Sequence, residues 1–294
     1  MGMNERPFLS VIVPVWNGAA QIGSCLNALA DQTYPSDRFE ILVVDNGSTD
    51  ETAEVVCHFP QVILLKELTQ GSYSARNRGL ATARGEFVAF TDADCIPSKD
   101  WLDCGVRALL GADNVGIVGG RIELFGNEGD SPTCRAFEEM FSLNQAHYIR
   151  SGHCTTANWM SRQGLIRELG CFNSSLLSGG DFELSGRIAA AGFALTYAEC
   201  MVVRHPMRGN VADLLRKNRR LVGGHWMMRA TASRRLRYIA GLGRQLLQCW
   251  RRVWAAKSLS IAMRFRLSLL LGLFFLANLL EIARLVMGGT PRCV

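Results

Sequence analysis

Phe87-Val88-Ala89-Phe90-Thr91-Asp92-Ala93-Asp94-Cys95 decides how this chain is read. Four apolar residues, bounded upstream by Gly85-Glu86, read as a short buried strand. Two carboxylates follow, one residue apart, at the strand's C-terminal end. That is the end at which an open parallel sheet binds its ligands. If the strand's period of two continues, Asp92 and Asp94 turn to the same side and face one pocket. Close carboxylates repel each other, and burying them unpaired is costly. A hard divalent cation removes that cost, and oxygen ligands suit Mg2+ or Mn2+. Taken alone, the pair reads equally well as a solvated turn after a strand.

Upstream, Leu9 to Val15 reads as a buried strand with Pro14 near its end, and Trp16-Asn17-Gly18 turns the chain. Gln21 to Asp31 has helical spacing. Phe39 to Asp45 is a second strand ending in an acid, and Asn46 to Thr52 is a Gly-turn that opens a helix. Val62 to Leu65 is a third strand, and Ser72 to Ala83 a helix carrying Arg76, Asn77 and Arg78. This β-α-β rhythm predicts an α/β fold with a parallel sheet. Right-handed crossovers then bring the strand ends at Pro14, Asp45 and Asp92 to one edge.

Downstream, the pattern predicts a helix over Trp101 to Leu110, a strand over Val115 to Arg121 and a helix over Phe137 to Ile149. Thr155 to Met160 reads as a strand and Ser161 to Leu169 as a short helix. Leu177 to Glu183 is a Gly-turn that carries Asp181 and Glu183 into a helix ending near Gly192. Phe193 to Tyr197 is the last strand expected, and Met201 to Pro206 closes the compact part.

The 294 residues, 48% of them hydrophobic, suffice for a full core. The net charge of +6 hides an asymmetry. From Arg204 to Val294 there are 18 basic and 2 acidic residues, against 14 basic and 24 acidic before them. An acidic body with a basic tail points to phosphates or an anionic membrane surface. The ten cysteines show no C-x-x-C pair or zinc spacing, and read as reduced thiols of a cytosolic chain. Met1 to Arg6 is polar and lacks a signal-peptide core, so the expected site of action is the cytoplasm.

The basic end divides into parts. Arg216, Lys217, Arg219 and Arg220 lie in a helical stretch. From Arg234 to Arg266, arginines interleave with Leu236, Tyr238, Leu246, Trp250 and Trp254, a pattern suited to a membrane interface. Leu267 to Leu280 is apolar, but its uninterrupted length falls short of the ~20 residues that span a bilayer. An interfacial helix, a re-entrant helix or one tilted span all fit, as does a docked amphipathic helix or a dimer contact. The basic residues follow an apolar helical pattern, so a membrane explains them better than nucleic acid does.

Five segments together resemble a family 2 glycosyltransferase of the GT-A fold. They are Ser10 to Asn17 (SVIVPVWN), Val43 to Asp50 (VVDNGSTD), Ala75 to Gly79 (ARNRG), Thr91 to Asp94 (TDAD) and Gly179 to Leu184 (GGDFEL). Asn158 followed by Arg162 also looks like that family's segment ahead of its base loop. The resemblance covers about residues 8 to 206 and implies a mostly parallel central sheet flanked by helices. Residues 207 to 294 are then a basic and apolar helical tail that associates with a membrane.

It also implies a nucleotide-diphosphate sugar, with UDP-sugars favoured by family frequency, a divalent Mn2+ or Mg2+, and inversion at the sugar. The acceptor would be a glycan or a lipid-linked group in cell-envelope glycan or glycolipid synthesis, reached from the cytoplasmic face of the membrane. Pro14, Asn17, Asp45, Arg76 and Asp92 would line the nucleotide, with Asp45 at the base and Asp92 near the ribose. Asp94 would hold the metal, completed by His205. Asp181 matches the family's general base, but the usual Glu before it is Gly180 here, so Glu183 stays open as an alternative base.

Each residue also has a plainer role. Asp45 or Asp181 can cap a helix, Arg76 can be solvated, and His205 can be a surface histidine. Two other functions compete: a non-catalytic scaffold on the same fold, and a nucleotidyltransferase. The opening turn Pro14-Val-Trp-Asn-Gly18 lacks the Gly-rich basic loop that grips a triphosphate. It also lacks G-x-G-x-x-G, which disfavours a dinucleotide oxidoreductase.

Overall fold

A computed structural model describes residues 6–229 and 231–291. Residues 1–5, 230 and 292–294 lie outside it, and with them nearly all of the polar Met1–Arg6 opening and the tenth cysteine, Cys293. The strands are β1 (Leu9–Val15), β2 (Phe39–Asp45), β3 (Val62–Lys66), β4 (Phe87–Phe90), β5 (Ile96–Pro97), β6 (Val115–Phe125), β7 (Trp159–Arg162) and β8 (Ala194–Pro206). The helices are α1 (Ala19–Ala30), α2 (Thr52–Cys57), α3 (Ser72–Thr82), α4 (Trp101–Leu109), α5 (Pro132–Phe141), α6 (Gln145–Arg150), α7 (Gln163–Glu168), α8 (Gly180–Ala190), α9 (Val211–Met227), α10 (Ala232–Ala255) and α11 (Ile261–Val286). The nine described cysteines are all free thiols.

The chain divides into two compact units. The first comprises Met1–Phe125, Leu143–Ser175 and Gly180–Pro206, and the second Gly126–Ser142, Leu176–Gly179 and Met207–Val294. The first unit holds one mixed sheet in the order β3-β2-β1-β4-β7-β6-β8-β5. Its β3, β2, β1 and β4 are parallel neighbours, as the β-α-β rhythm requires. β7 then runs antiparallel to both β4 and β6, while β6 and β8 are parallel. Val11, Val13, Ile41, Val43, Phe87 and Ala89 are fully or almost fully buried, and Ile22, Leu26 and Leu29 of α1 share that core. Pro14 lies beyond the β1–β4 ladder, which ends at Ile12↔Phe90, so its missing N–H breaks no pair there.

Several local expectations change. Asp92 and Asp94 are not a continuation of β4, because the strand stops at Phe90. A turn follows, closed by the Cys95 N–H to the Asp92 carbonyl at 3.0 Å, and it replaces the period-of-two argument. The helix expected over Phe137 to Ile149 is two helices, α5 and α6, because Leu143 between them takes a positive φ of 45°. Thr155 to Met160 starts as a 3-10 turn at Thr156–Asn158 and becomes strand only at Trp159. Ser161 and Arg162 belong to that strand and not to the helix after it. The last two strand-like segments are one strand, β8, with a bulge.

That bulge is held by Asn158. The β6–β8 register runs Gly120↔Ala198 and then jumps to Arg121↔Val202. The Asn158 amide, with no solvent exposure, donates to the Arg121 carbonyl (2.9 Å) and the Met201 carbonyl (2.8 Å). Its oxygen accepts from the Trp101 indole at 2.9 Å. Any side chain at Gly120 would enter the same space, 2.5 Å from that amide nitrogen.

In the second unit, α9, α10 and α11 pack together and with α5. The expected basic stretch Arg234 to Arg266 is split between α10 and the start of α11. α11 is continuous over 26 residues and long and apolar enough to cross a membrane, longer than the uninterrupted apolar run in the sequence suggests. The interrupting charges Glu281 and Arg284 pair with each other at 2.5 Å on one helical turn. Glu138 of α5 is completely buried against Lys217 (3.1 Å), Ser142 (2.6 Å) and Arg208 (3.5 Å). Burial pushes this carboxyl up, but Lys217, Ser142 and Arg208 together hold it below the usual glutamate range. Burial lowers Lys217 to about 8. Among the four basic residues of α9, Lys217 is thus spoken for by Glu138, and Arg216 pairs with Asp213 at 3.1 Å.

Asn158→Ala removes three hydrogen bonds, two of them fully buried, and it is expected to lower the unfolding free energy by about 3 kcal/mol in urea denaturation. A loss well under that would mean that the β8 bulge holds itself.

Candidate active site

The first wall is built by the loops after β1 and β2. Val15 and Asp45 end their strands in register. Asp45 is buried, and its carboxylate accepts from the Ser48 N–H at 2.9 Å. It therefore shapes a turn and does not cap α2, which begins seven residues on at Thr52. Asn17, exposed and at a positive φ of 48°, ties the two loops together. Its N–H donates to Ser48 Oγ (2.9 Å), and its side-chain oxygen accepts from the Thr49 N–H (2.8 Å). Asn46 bonds the carbonyls of Glu67 (3.0 Å) and Thr69 (2.8 Å) and the N–H of Gly71 (2.7 Å), fixing the entry to α3. On its other side the Asn17 turn reaches the acidic turn, since a Cβ on Gly18 would lie 3.9 Å from that of Ala93.

The acidic turn meets β8. Asp92, Asp94, Cys95 and His205 each offer a ligand atom, all within 4.8 Å of one another. His205 is buried, and its Nδ1 lies 2.8 Å from the Pro206 carbonyl. A carbonyl only accepts, so Nδ1 carries the proton and the Nε2 lone pair is left for a ligand. Two carboxylates and an imidazole fit a hard divalent cation, which prefers them to the Cys95 thiol. Burial, then the charges of Asp92 and Asp94, hold that thiol well above the ordinary cysteine range.

Arg76, only 4% exposed, is not a solvated helix residue. Its guanidinium donates to Asp92 Oδ1 at 2.5 Å and to the Ser72 carbonyl at 3.3 Å, and lies 5.7 Å from the Tyr73 ring. Its Nε is buried with no partner among the described residues. Asp181 sits in the first turn of α8. Its Oδ1 accepts from the Tyr73 hydroxyl (3.2 Å) and from the Phe182 N–H (3.0 Å). Desolvation raises this carboxyl above the usual aspartate range, while Arg76 and these hydrogen bonds pull the other way. Glu183, two residues on, is committed to Arg187 through two contacts of 2.8 and 2.9 Å.

The structure thus gathers Arg76, Asp92, Asp94 and His205 around one turn and links Asp181 to them through Arg76 and Tyr73. Pro14, Asn17 and Asp45 lie on the same sheet edge. Tyr73 and Asn46 are contributions that the sequence reading did not single out. Asn46 stands inside VVDNGSTD, but nothing in its spacing reveals three bonds to a distant loop. The arrangement can hold a cation beside a positively charged anchor and place a desolvated carboxylate nearby, which suits displacement of a phosphate leaving group.

Comparison with known proteins supplies relatives of this chain. The sequence pattern of glycosyl transferase family 2 matches residues 10–170. Glycosyltransferase AglE of Haloferax volcanii is 37% identical over 239 residues, covering 78% of this chain and 78% of that protein. The pre-mycofactocin glycosyltransferase of Mycobacterium tuberculosis is 30% identical over 218 residues, 70% of this chain and 44% of that protein. Among solved structures, the mannosyltransferase PcManGT of Pyrobaculum calidifontis, in complex with GDP-Man and Mn2+, aligns with a TM-score of 0.59 at 22% identity over 97% of this chain and 77% of that one. Residues 1–349 of S. aureus TarS, in complex with UDP-GlcNAc, align with a TM-score of 0.55 at 19% identity over 97% of this chain and 93% of that one. At these identities the two structures carry the fold alone.

A bound cation stabilises the folded chain by mass action. Mn2+ is expected to raise the thermal midpoint of the wild type by several degrees, and to leave that of Asp94→Ala unmoved, in a thermal-shift titration.

Proposed function

The chain belongs to glycosyl transferase family 2, and from that membership we propose that it moves a sugar from a nucleotide-diphosphate donor to an acceptor hydroxyl with inversion. One observation carries this: a cation-ready group of two carboxylates and an imidazole lies beside a desolvated aspartate tied to it through Arg76.

The residues divide the work. Asp45 accepts from the nucleotide base, with Pro14 and Asn17 shaping the loops beside it. Arg76 and Asp92 orient each other, with Asp92 toward the ribose. Asp94 and His205 would hold Mn2+ or Mg2+, which would neutralise charge on the departing diphosphate as a Lewis acid. The acceptor oxygen bonds to the anomeric carbon, and the carbon–oxygen bond to the diphosphate breaks, its electron pair leaving with the diphosphate. Asp181 takes the acceptor's proton. A carboxyl raised by burial is a stronger base than a solvated one, and it must be ionised to act. Activity therefore rises with pH through the Asp181 titration. Glu183 is less available as a base because Arg187 holds both its oxygens.

The donor is best sought among UDP- and GDP-sugars, since the solved relatives were captured with UDP-GlcNAc and GDP-Man. A glycan or lipid-linked acceptor in the cell envelope fits a chain whose residues 8–206 carry the chemistry and whose residues 207–294 meet a membrane. Supporting that division, α11 leaves Phe265, Leu269, Leu276 and Leu280 outward, and Leu269 is 75% exposed. Trp250 and Trp254 of α10 stand beside that face, with Trp254 stacked edge-on to Phe265 at 5.3 Å. Only 33% of the most apolar part of α11 is buried in the fold. An amphipathic stripe flanked by tryptophan and arginine suits the lipid boundary of the cytoplasmic leaflet.

Two experiments test these readings. Thermal-shift screening against UDP-, GDP- and dTDP-sugars with Mn2+ identifies the donor, and Asp181→Asn should then bind it normally while losing at least 100-fold in kcat. A fully active Asp181→Asn would remove this residue from the chemistry. Separately, the wild type should float with vesicles containing anionic lipid, and Leu269→Glu with Leu276→Glu should stay in the soluble fraction. Flotation of that double variant would place the contact elsewhere.

A further inference from the structure

Gly180 precedes Asp181 at the start of α8, and a side chain there could be placed only by moving its neighbour. A Cβ at this position would come within 2.8 Å of the Tyr73 ring. That ring is stacked with Phe172, at 5.7 Å and 20°. Asn77 in turn clamps Phe172 by its backbone, donating to the carbonyl (2.8 Å) and accepting from the N–H (3.0 Å). Phe172 also meets Phe90 of β4 edge-on at 5.3 Å. Tyr73 thus stands between the sheet and the first turn of α8, and its hydroxyl reaches Asp181.

We propose that Tyr73 is a positioning residue for Asp181. It holds Oδ1 of the carboxylate so that Oδ2 is turned to receive the acceptor's proton. Among the described residues, the two hydrogen bonds that Asp181 accepts both fall on Oδ1, one from Tyr73 and one from the Phe182 N–H. Oδ1 is thereby anchored and Oδ2 is the oxygen left for chemistry. Burial keeps Tyr73 protonated, with its pKa well above the ordinary tyrosine value, so it donates throughout the working pH range. The smallness of Gly180 gives the ring its place. This rests on Asp181 being the base, and it assigns two residues, Tyr73 and Gly180, to the orientation of that base.

Tyr73→Phe keeps the ring and its stacking and removes only the hydroxyl. The other charged and titratable groups acting on Asp181, namely Arg76, Asp92 and the nearby Cys154, are untouched. A hydrogen bond to the ionised carboxylate lowers its pKa, so its loss moves the Asp181 titration upward. In 13C NMR of aspartate-labelled protein, which needs no donor, the Asp181 midpoint should rise in Tyr73→Phe. An unmoved midpoint overturns the proposal.

With UDP-GlcNAc or GDP-Man, followed as release of UDP or GDP with water replacing the acceptor, kcat should fall about tenfold at unchanged donor KM. The rising limb of the pH profile should move to higher pH. Gly180→Ala, which keeps the hydroxyl but displaces the ring that carries it toward Asp181, should reproduce the kcat loss. Wild-type kcat and pH profile in Tyr73→Phe, or a donor KM that rises in step with the loss, would overturn the assignment. An inactive Asp181→Asn beside a normal Tyr73→Phe discards only the role of Tyr73, whereas a fully active Asp181→Asn discards the base itself.

Discussion

A guanidinium out of water must be matched by negative charge, and Arg76 is the point at which this fold meets that demand. It leaves α3 from inside the first unit, pairs with Asp92 at 2.5 Å, and lowers the cost of ionising Asp181. Without it, Asp92 in the turn after β4 would lose the guanidinium that balances it. The cation-ready group beside it then needs to settle only part of the repulsion. Because Asp92 is occupied by Arg76, Asp94 and His205 are the freer pair, which is the division of roles that the proposed chemistry uses.

Much of this was legible from the sequence. The strands Leu9–Val15, Phe39–Asp45 and Phe87–Phe90 are apolar runs with clear punctuation, and they form where the pattern put them. Parallel pairing of β2, β1 and β4 follows from the helices between them. The turn at Asp92–Cys95 was harder, because alternation along a strand and a tight turn can each bring alternate acids together. The end of β4 at Phe90 and the bond from Cys95 back to Asp92 tell them apart. The strand at Trp159 was read with its start too early and its end too soon, and the bulge in β8 was illegible because it is held by Asn158, whose partners Trp101, Arg121 and Met201 are scattered along the chain. Propensity does not register contacts of that kind.

The basic end illustrates the opposite limit. Charge counting reads Lys217 as one more phosphate-seeking cation, but the structure spends it on Glu138, inside a closed group with Ser142 and Arg208. Glu138 lies far upstream, in a helix the sequence placed a few residues too late. The apolar length of α11 was likewise underread, because Glu281 and Arg284 look like interruptions until they neutralise one another across a single turn.

The β8 bulge carries one further consequence. His205 reaches the acidic turn only because β8 restarts in a new register after Met201 and runs on to Pro206. Asp92 and Asp94 are made early in synthesis and His205 late, with the strands β6 and β7 between them. A ribosome that has delivered the whole parallel half has therefore not yet delivered a complete cation group. During translation the four side chains of this group come together only when the last strand of the first unit has threaded home, shortly before α9, α10 and α11 emerge.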